Sequence, residues 1–285
     1  MTRIKYFLTL VFVGLFTSIC AGQTEIPLYG KGDGSKDMEI ESSVTVFMPS
    51  VKGNGKAVLI CPGGGYQTLV SKREGSDVAL AFNKAGVTAF VLKYRLPGRR
   101  GGVNKRFEPI QDAQTAIKMI RERAAEWHID SNKVGIMGFS AGGHLAATAG
   151  THFNHAYINN DKGINLRPDF MVLVYPVISF KDGMAHLGSR TNLIGTENDP
   201  GFKSRIDDFS NENHVSLASP PTFLTHASDD SIVSLSNTMS FFDALSKHKV
   251  PTELHVYPKG GHGYLDYPAF EDWFGNCLRW VLNLN

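Results

Sequence analysis

The sequence predicts an α/β protein built as a single domain, with one doubly wound, mostly parallel sheet and helices on both of its faces. Three observations carry that prediction. Continuously apolar runs such as Ala57-Val-Leu-Ile-Cys61 and Phe170-Met-Val-Leu-Val-Tyr-Pro176 have the composition of strands covered on both sides. Segments with helical apolar spacing alternate with these runs, which is the order that parallel sheets require. No internal repeat, low-complexity tract or linker divides the 285 residues, and a content of 42% hydrophobic and 20% charged residues suits one large core.

The N-terminus stands apart from that core. Arg3 and Lys5 precede an apolar run from Tyr6 to about Phe16, and small residues follow through Ser18, Cys20, Ala21 and Gly22. This is the pattern of a secretory signal peptide, too short for a comfortable membrane span, with cleavage expected near Gly22–Gln23. The expected organisation is therefore a leader over 1–22 and a catalytic domain over 23–285. A lipid-modified Cys20 is the lesser reading, because Ile19 occupies a position where a small residue is expected. Loss of Arg3 and Lys5 takes the formal charge from +2 to 0, so nothing in the charge calls for nucleic acid or an anionic membrane.

In chain order, Ile40 to Met48 alternates as a strand and Pro49 to Lys56 reads as turn. The Ala57–Cys61 strand runs into Pro62-Gly63-Gly64-Gly65-Tyr66. A helix is expected from about Gly75 to Lys84, then a strand over Val87–Lys93. A second helix runs from about Ile110 to Trp127, with Ala113, Ala116, Ile117, Ile120 and Ala124 on one stripe. A strand from Val134 leads to a small-residue helix from Ala141 to about Ala149, and the Phe170 strand follows. About forty residues from Ser179 to Pro221 show little apolar period, and a connection of that length is usually functional or mobile. The alternation resumes with the Thr222–His226 strand, a helix over Leu235–Lys247, the Glu253–Tyr257 strand and a last helix from about Ala269 to Leu284.

Chemistry concentrates at Gly138-Phe139-Ser140-Ala141-Gly142, which has the G-x-S-x-G form of a nucleophile elbow between a strand and a helix. In a chain with 29 glycines the pentapeptide gains its weight from context. A serine that attacks a carbonyl needs a base, and the base needs an orienting acid. Asp229 and Asp230 follow the strand ending at His226, and His262 follows the strand ending at Tyr257. The order serine, aspartate, histidine is that of α/β-hydrolases, and the carboxyl ends of parallel strands share one edge where the three would meet. Adjacent aspartates point in different directions, so only one orients His262; Asp230 is preferred, leaving Asp229 to bond backbone or cap the loop. His226 and His255 are expected to pack.

The tetrahedral intermediate needs backbone donors. Ala141 N–H is one candidate, and the other lies in the Gly63-Gly64-Gly65 loop. As a phosphate cradle that loop fails, since no Lys-Ser/Thr pair follows it. No metal or other cofactor is expected, because the histidines lie singly, without ligand spacing. Cys61 and Cys277 are expected to be small buried hydrophobes rather than a disulfide.

Several stretches together resemble a known family: Pro62-Gly-Gly-Gly-Tyr66, Val91-Leu-Lys-Tyr-Arg-Leu-Pro97, Gln111-Asp-Ala-Gln114, Gly138-Phe-Ser-Ala-Gly-Gly-His144, Pro221-Thr-Phe-Leu-Thr-His-Ala-Ser-Asp-Asp230 and Gly260-Gly-His-Gly263. They are similar to secreted bacterial α/β-hydrolases of the acetylxylan-esterase-like carbohydrate-esterase group, close to the lipase/esterase branch, over about Glu25 to Asn285. Pro62 stands where lipases have His, and Ser234 where relatives often have Pro. The resemblance implies Ser140 as nucleophile, Asp230 as acid, His262 as base, and Gly63 or Gly64 with Ala141 as oxyanion donors. It also implies an acylated carbohydrate as substrate, with acetyl as the acyl group.

Tyr66 and, in the Lys181–Pro221 segment, His186, Arg190 and Asn192 are candidates for the substrate pocket, against the reading of that segment as a solvated loop. Arg95, Arg99, Arg100, Lys105 and Arg106 read first as a solvated rim and second as a face for acidic sugars. A general carboxylesterase or lipase differs only in pocket shape, and a serine peptidase of the prolyl-oligopeptidase kind usually carries an extra domain for which this chain has no room.

Overall fold

The computed structural model describes residues 23–30, 42–99 and 102–284. The leader and Cys20 lie outside those residues, as does Arg100. One eight-stranded sheet organises the rest, with strands β1 (Thr24–Pro27), β2 (Ser43–Phe47), β3 (Ala57–Cys61), β4 (Thr88–Lys93), β5 (Val134–Phe139), β6 (Met171–Val174), β7 (Thr222–Ala227) and β8 (Thr252–Tyr257). Their order across the sheet is β1-β2-β4-β3-β5-β6-β7-β8. β1 and β2 join antiparallel at one edge, and every pairing from β4 to β8 is parallel.

The period-2 alternation of each strand splits the core into two layers. Ala57, Leu59 and Cys61 of β3 face a layer filled by α2 (Glu108–Glu122), α3 (Ser140–Thr151) and α6 (Ser236–Lys247), through residues such as Ile117, Leu145 and Phe241. Val58 and Ile60 face the opposite layer, filled by α1 (Asp77–Lys84) and α7 (Phe270–Asn283) through Phe82, Trp273, Phe274 and Cys277. Cys61 and Cys277 are therefore unpaired thiols on opposite faces of the sheet, both fully buried.

Three features differ from expectation. Thr24–Pro27 forms an edge strand, held by its register against β2 although its side chains are mostly exposed. The segment after Ser179 contains α4 (Leu187–Ile194) and α5 (Phe202–Asp208), so it is an ordered cover rather than a plain loop. The second expected helix ends at Glu122 and continues as a separate 3-10 turn over Ala124–Trp127. Five neighbouring parallel strands deliver their C-terminal loops to one edge: Gly63–Gly65 after β3, Ser140 after β5, Tyr175 after β6, Asp230 after β7 and His262 after β8.

Candidate active site

Ser140 sits where β5 becomes α3, at a φ of +52°. A left-handed conformation costs a side-chain-bearing residue roughly 1–2 kcal/mol, which the strand on one side and the helix on the other must hold in place. The flanking glycines have a measurable reason. A methyl group at Gly138 would lie 2.1 Å from Gly142 O, and one at Gly142 would lie 2.1 Å from Cys61 O and 2.4 Å from Pro62 O. The elbow is thus pressed both against itself and against the end of β3.

The Ser140 hydroxyl lies 2.9 Å from His262 Nε2, and His262 Nδ1 lies 2.7 Å from Asp230 Oδ2. The neighbours determine the tautomer: an ionised carboxylate only accepts, so Nδ1 carries the proton and Nε2 is left to accept from Ser140 Oγ. Asp230 takes three donors. Its Oδ1 accepts from Ile232 N and Val233 N, both at 2.9 Å, and its Oδ2 accepts from His262, while His226 Nε2 donates to Val233 O at 2.9 Å and lies 3.2 Å from the same Oδ2. Burial on its own would raise the Asp230 pKa, but the nearby His226 and His262 imidazoles and the Val233 amide outweigh it and hold the carboxyl well below the usual range. His226 is fully buried as expected, bridging Thr238 Oγ1 through Nδ1 at 2.7 Å and Val233 O through Nε2, so it fixes the turn whose amides hold Asp230. Asp229 is exposed and accepts from Gly261 N at 2.8 Å, so it braces the loop that carries His262.

The glycine loop is pinned by buried and half-buried side chains. Tyr94 OH donates to Pro62 O at 2.8 Å, Asn192 Nδ2 donates to Gly65 O at 2.8 Å, and Tyr66 OH donates to His144 Nδ1 at 2.9 Å. His144 Nε2–H in turn donates to Phe209 O, and full burial pushes the His144 pKa down to about 4, so the ring stays neutral. Two expectations are corrected here. Tyr66 is 1% exposed and spent on His144, so it anchors the loop instead of touching substrate. Gly63 N–H donates to Glu74 Oε2 at 2.8 Å, which withdraws it from the expected oxyanion donors and leaves Gly64 and Ala141 as the candidates. Ala141 opens α3, where helix amides have no intrahelical acceptor.

A family model described as BD-FAE matches residues 44–245. The chain belongs to the BD-FAE family. An acetylxylan esterase of Xylanibacter ruminicola is 34% identical over 238 residues, covering 82% of this chain and 45% of the relative. An endo-1,4-beta-xylanase B of Butyrivibrio fibrisolvens is 35% identical over 72% of this chain and 32% of its own length. The chain thus spans less than half the length of either of these curated relatives. Among solved structures, an acetyl ester-xyloside bifunctional hydrolase of Caldicellulosiruptor lactoaceticus superposes with a TM-score of 0.81 at 35% identity, covering 93% of this chain and 98% of that one. The fold is that of the α/β-hydrolases, as the sequence implied.

Around this BD-FAE site the remaining candidates separate. His186 caps α4, its Nδ1 accepting from Ser189 N at 3.2 Å, so Nε2 carries the proton. Its Cε1 lies 4.0 Å from where a methyl at Gly65 would be, and burial together with the nearby His262 lowers its pKa. His186 is thus a neutral N–H donor beside the glycine loop. Asn192, six residues further on, holds that loop through Gly65. Arg190 braces its own segment, where it donates to Phe180 O at 3.0 Å and pairs with Asp182 at 2.6 Å. The basic stretch is neither a solvated rim nor a sugar face at its first member, because Arg95 is buried against Asp112 at 2.7 Å. Lys105 pairs with Glu108, and Arg106 lies over the Phe107 ring.

Glu74 had no expected role. Its carboxylate is 3% exposed and receives Gly63 N–H, Arg73 and Tyr175 OH. In sequence it reads as one more charge in Lys72-Arg73-Glu74, and only the unpaired amide of Gly63 gives it a reason to be buried.

Proposed function

We propose that this chain is a serine esterase that removes a small acyl group, acetyl first, from a carbohydrate hydroxyl through an acyl-enzyme. The observation that carries the reading is the hydrogen-bond chain from Ser140 Oγ to His262 at 2.9 Å and from His262 to Asp230 at 2.7 Å. Ser140 Oγ attacks the ester carbonyl while His262 Nε2 takes its proton; Asp230 stabilises the imidazolium and keeps it oriented. The amides of Gly64 and Ala141 face the oxyanion. His262 then protonates the departing sugar oxygen, and water, deprotonated by the same histidine, releases the acid and frees Ser140. His186 Nε2–H donates to the sugar side of the ester.

An acetylated xylan or related plant polysaccharide is the substrate class favoured by the acetylxylan esterase of Xylanibacter ruminicola and by the acetyl ester-xyloside hydrolase. The leader over 1–22 supports export toward such a polymer. The test is acetate release from acetylated xylan, pectin and sialosides beside acetyl-, butyryl- and octanoyl-nitrophenyl esters. Ser140→Ala and His262→Ala should each lower kcat by several orders of magnitude in folded protein, and a pure Ser140→Ala enzyme within about tenfold of wild type removes the reading. Leu187 and Ile232, next in sequence to His186 and close to Asp230, are 62% and 55% exposed. They favour, as the second reading, a general carboxylesterase with an apolar rim, and a preference for the octanoyl ester would select it.

A further inference from the structure

Behind the glycine loop, a single π-helical turn over Lys72–Ser76 places Arg73 and Glu74 between the two loops that the reaction depends on. Glu74 Oε2 holds Gly63 N–H at 2.8 Å, while Oε1 accepts from Arg73 at 3.0 Å and from Tyr175 OH at 3.2 Å. Arg73 reaches the other loop: a methyl at Gly263, next to His262, would lie 3.0 Å from its guanidinium. Tyr175 packs its ring edge-on against His262 at 4.9 Å between centroids.

The position of the carboxylate poses an electrostatic problem. A methyl at Gly63 would lie 2.6 Å from Glu74 Oε2 and 3.0 Å from Ser140 Cβ, so a buried negative charge stands close behind the nucleophile. Negative charge develops in front of it during attack, and like charges at such range repel strongly in a partly desolvated site. The carboxylate is nevertheless suited to holding the loop, because a backbone amide beside the oxyanion donors needs a firm acceptor. A cation on its far side resolves the conflict.

We propose that Arg73 and Glu74 form a charge-neutral positioning pair: Glu74 holds the oxyanion loop through Gly63, and Arg73 cancels the opposition of that carboxylate to the developing oxyanion. This inference rests on the esterase reading above. Arg73 acts through Glu74 and does not touch the acyl group. Its side chain is 44% exposed, so its replacement should leave the fold intact, which a thermal melt of each variant checks.

The experiment measures kcat and KM on nitrophenyl acetate and the inhibition constant of phenylboronic acid, whose serine adduct carries the negative charge of the tetrahedral intermediate. Arg73→Ala should lower kcat by roughly 10- to 100-fold with KM little changed, and weaken the boronic acid by a similar factor. Adding Glu74→Gln to Arg73→Ala removes the uncompensated charge while keeping an acceptor for Gly63 N–H, and should recover most of both losses. Arg73→Lys, which keeps the charge on a different frame, should lose far less than Arg73→Ala. A purely structural pair would give a double variant no better than Arg73→Ala and an Arg73→Lys as poor as Arg73→Ala; either result overturns the proposal. A wild-type protein that neither hydrolyses the acetyl ester nor binds the boronic acid overturns the esterase reading instead.

Discussion

Gly142→Ala is the substitution whose effect the elbow geometry determines most directly. The new methyl would stand 2.1 Å from Cys61 O and 2.4 Å from Pro62 O. An ordinary carbon-to-oxygen contact is about 3.3–3.6 Å, so helix and strand end must part by roughly 1 Å. Both contacts are backbone, in elements buried on all sides, and no side chain can rotate away. Overpacking of this kind costs roughly 1–3 kcal/mol of stability. The functional cost is larger in proportion, because the parting separates Ser140 and Ala141 on α3 from Gly64 on the loop after β3. A misplacement of about 1 Å costs on the order of 100-fold in kcat. Urea titration and nitrophenyl acetate kinetics measure the two effects separately. Gly275→Ala is the control: it lies inside α7, a methyl there meets nothing within 4 Å, and it should add about 0.5–1 kcal/mol with kcat unchanged. A folded Gly142→Ala enzyme with kcat within about threefold of wild type would refute the argument that this contact sets the oxyanion geometry.

Asp230→Asn should lower kcat by about two to four orders of magnitude, since NH2 in place of either oxygen would face at least one N–H donor, whereas Asp229→Asn keeps its acceptor for Gly261 N and should stay near wild type; the reverse ranking would transfer the acid role to Asp229. His226→Phe removes the bridge from Thr238 to Val233 O that fixes the turn around Asp230, so it should lower kcat and stability together, and an unaltered kcat would confine His226 to packing. Stability should fall with pH between about 6.5 and 4. The unfolded chain takes up a proton on His144 near 6.5 that the folded chain refuses until about 4, so the stabilisation is complete above 6.5 and is lost on the way down. His144 accounts for about 3 kcal/mol of this and His152, held down to about 4 by burial and by His214, acts in the same window. Chemical denaturation of wild type and His144→Gln across that range should give a shallower slope for the variant; equal slopes would locate the proton uptake elsewhere.

What could be read from the sequence is what elementary periodicity encodes. β3, β5 and β6 are apolar throughout because both faces are covered, and the loops after β5, β7 and β8 carry Ser140, Asp230 and His262 because those strands run parallel. β1 could not be read: four residues, three of them exposed and the last Pro27, show no pattern, and only pairing with β2 makes them a strand. α4 and α5 were hidden for a related reason. Leu187-Gly-Ser-Arg-Thr-Asn-Leu-Ile194 is poor in helix formers and is held by the His186 cap and by contacts to the glycine loop. Within the glycine loop, three identical residues conceal three different amides. Which one is consumed depends on Glu74, eleven positions away and buried by a turn that local propensity does not specify.

Cys61 and Cys277 give the fold a property separate from its chemistry. With one thiol in each core layer and the sheet between them, no local fluctuation brings them together or exposes both at once. Burial also raises both thiol pKa values, so neither is a reactive thiolate in the native state. Alkylation at both positions therefore requires the sheet itself to come apart, and the doubly labelled fraction counts the molecules that have done so. The chain thus carries its own gauge of global opening, readable by mass alone.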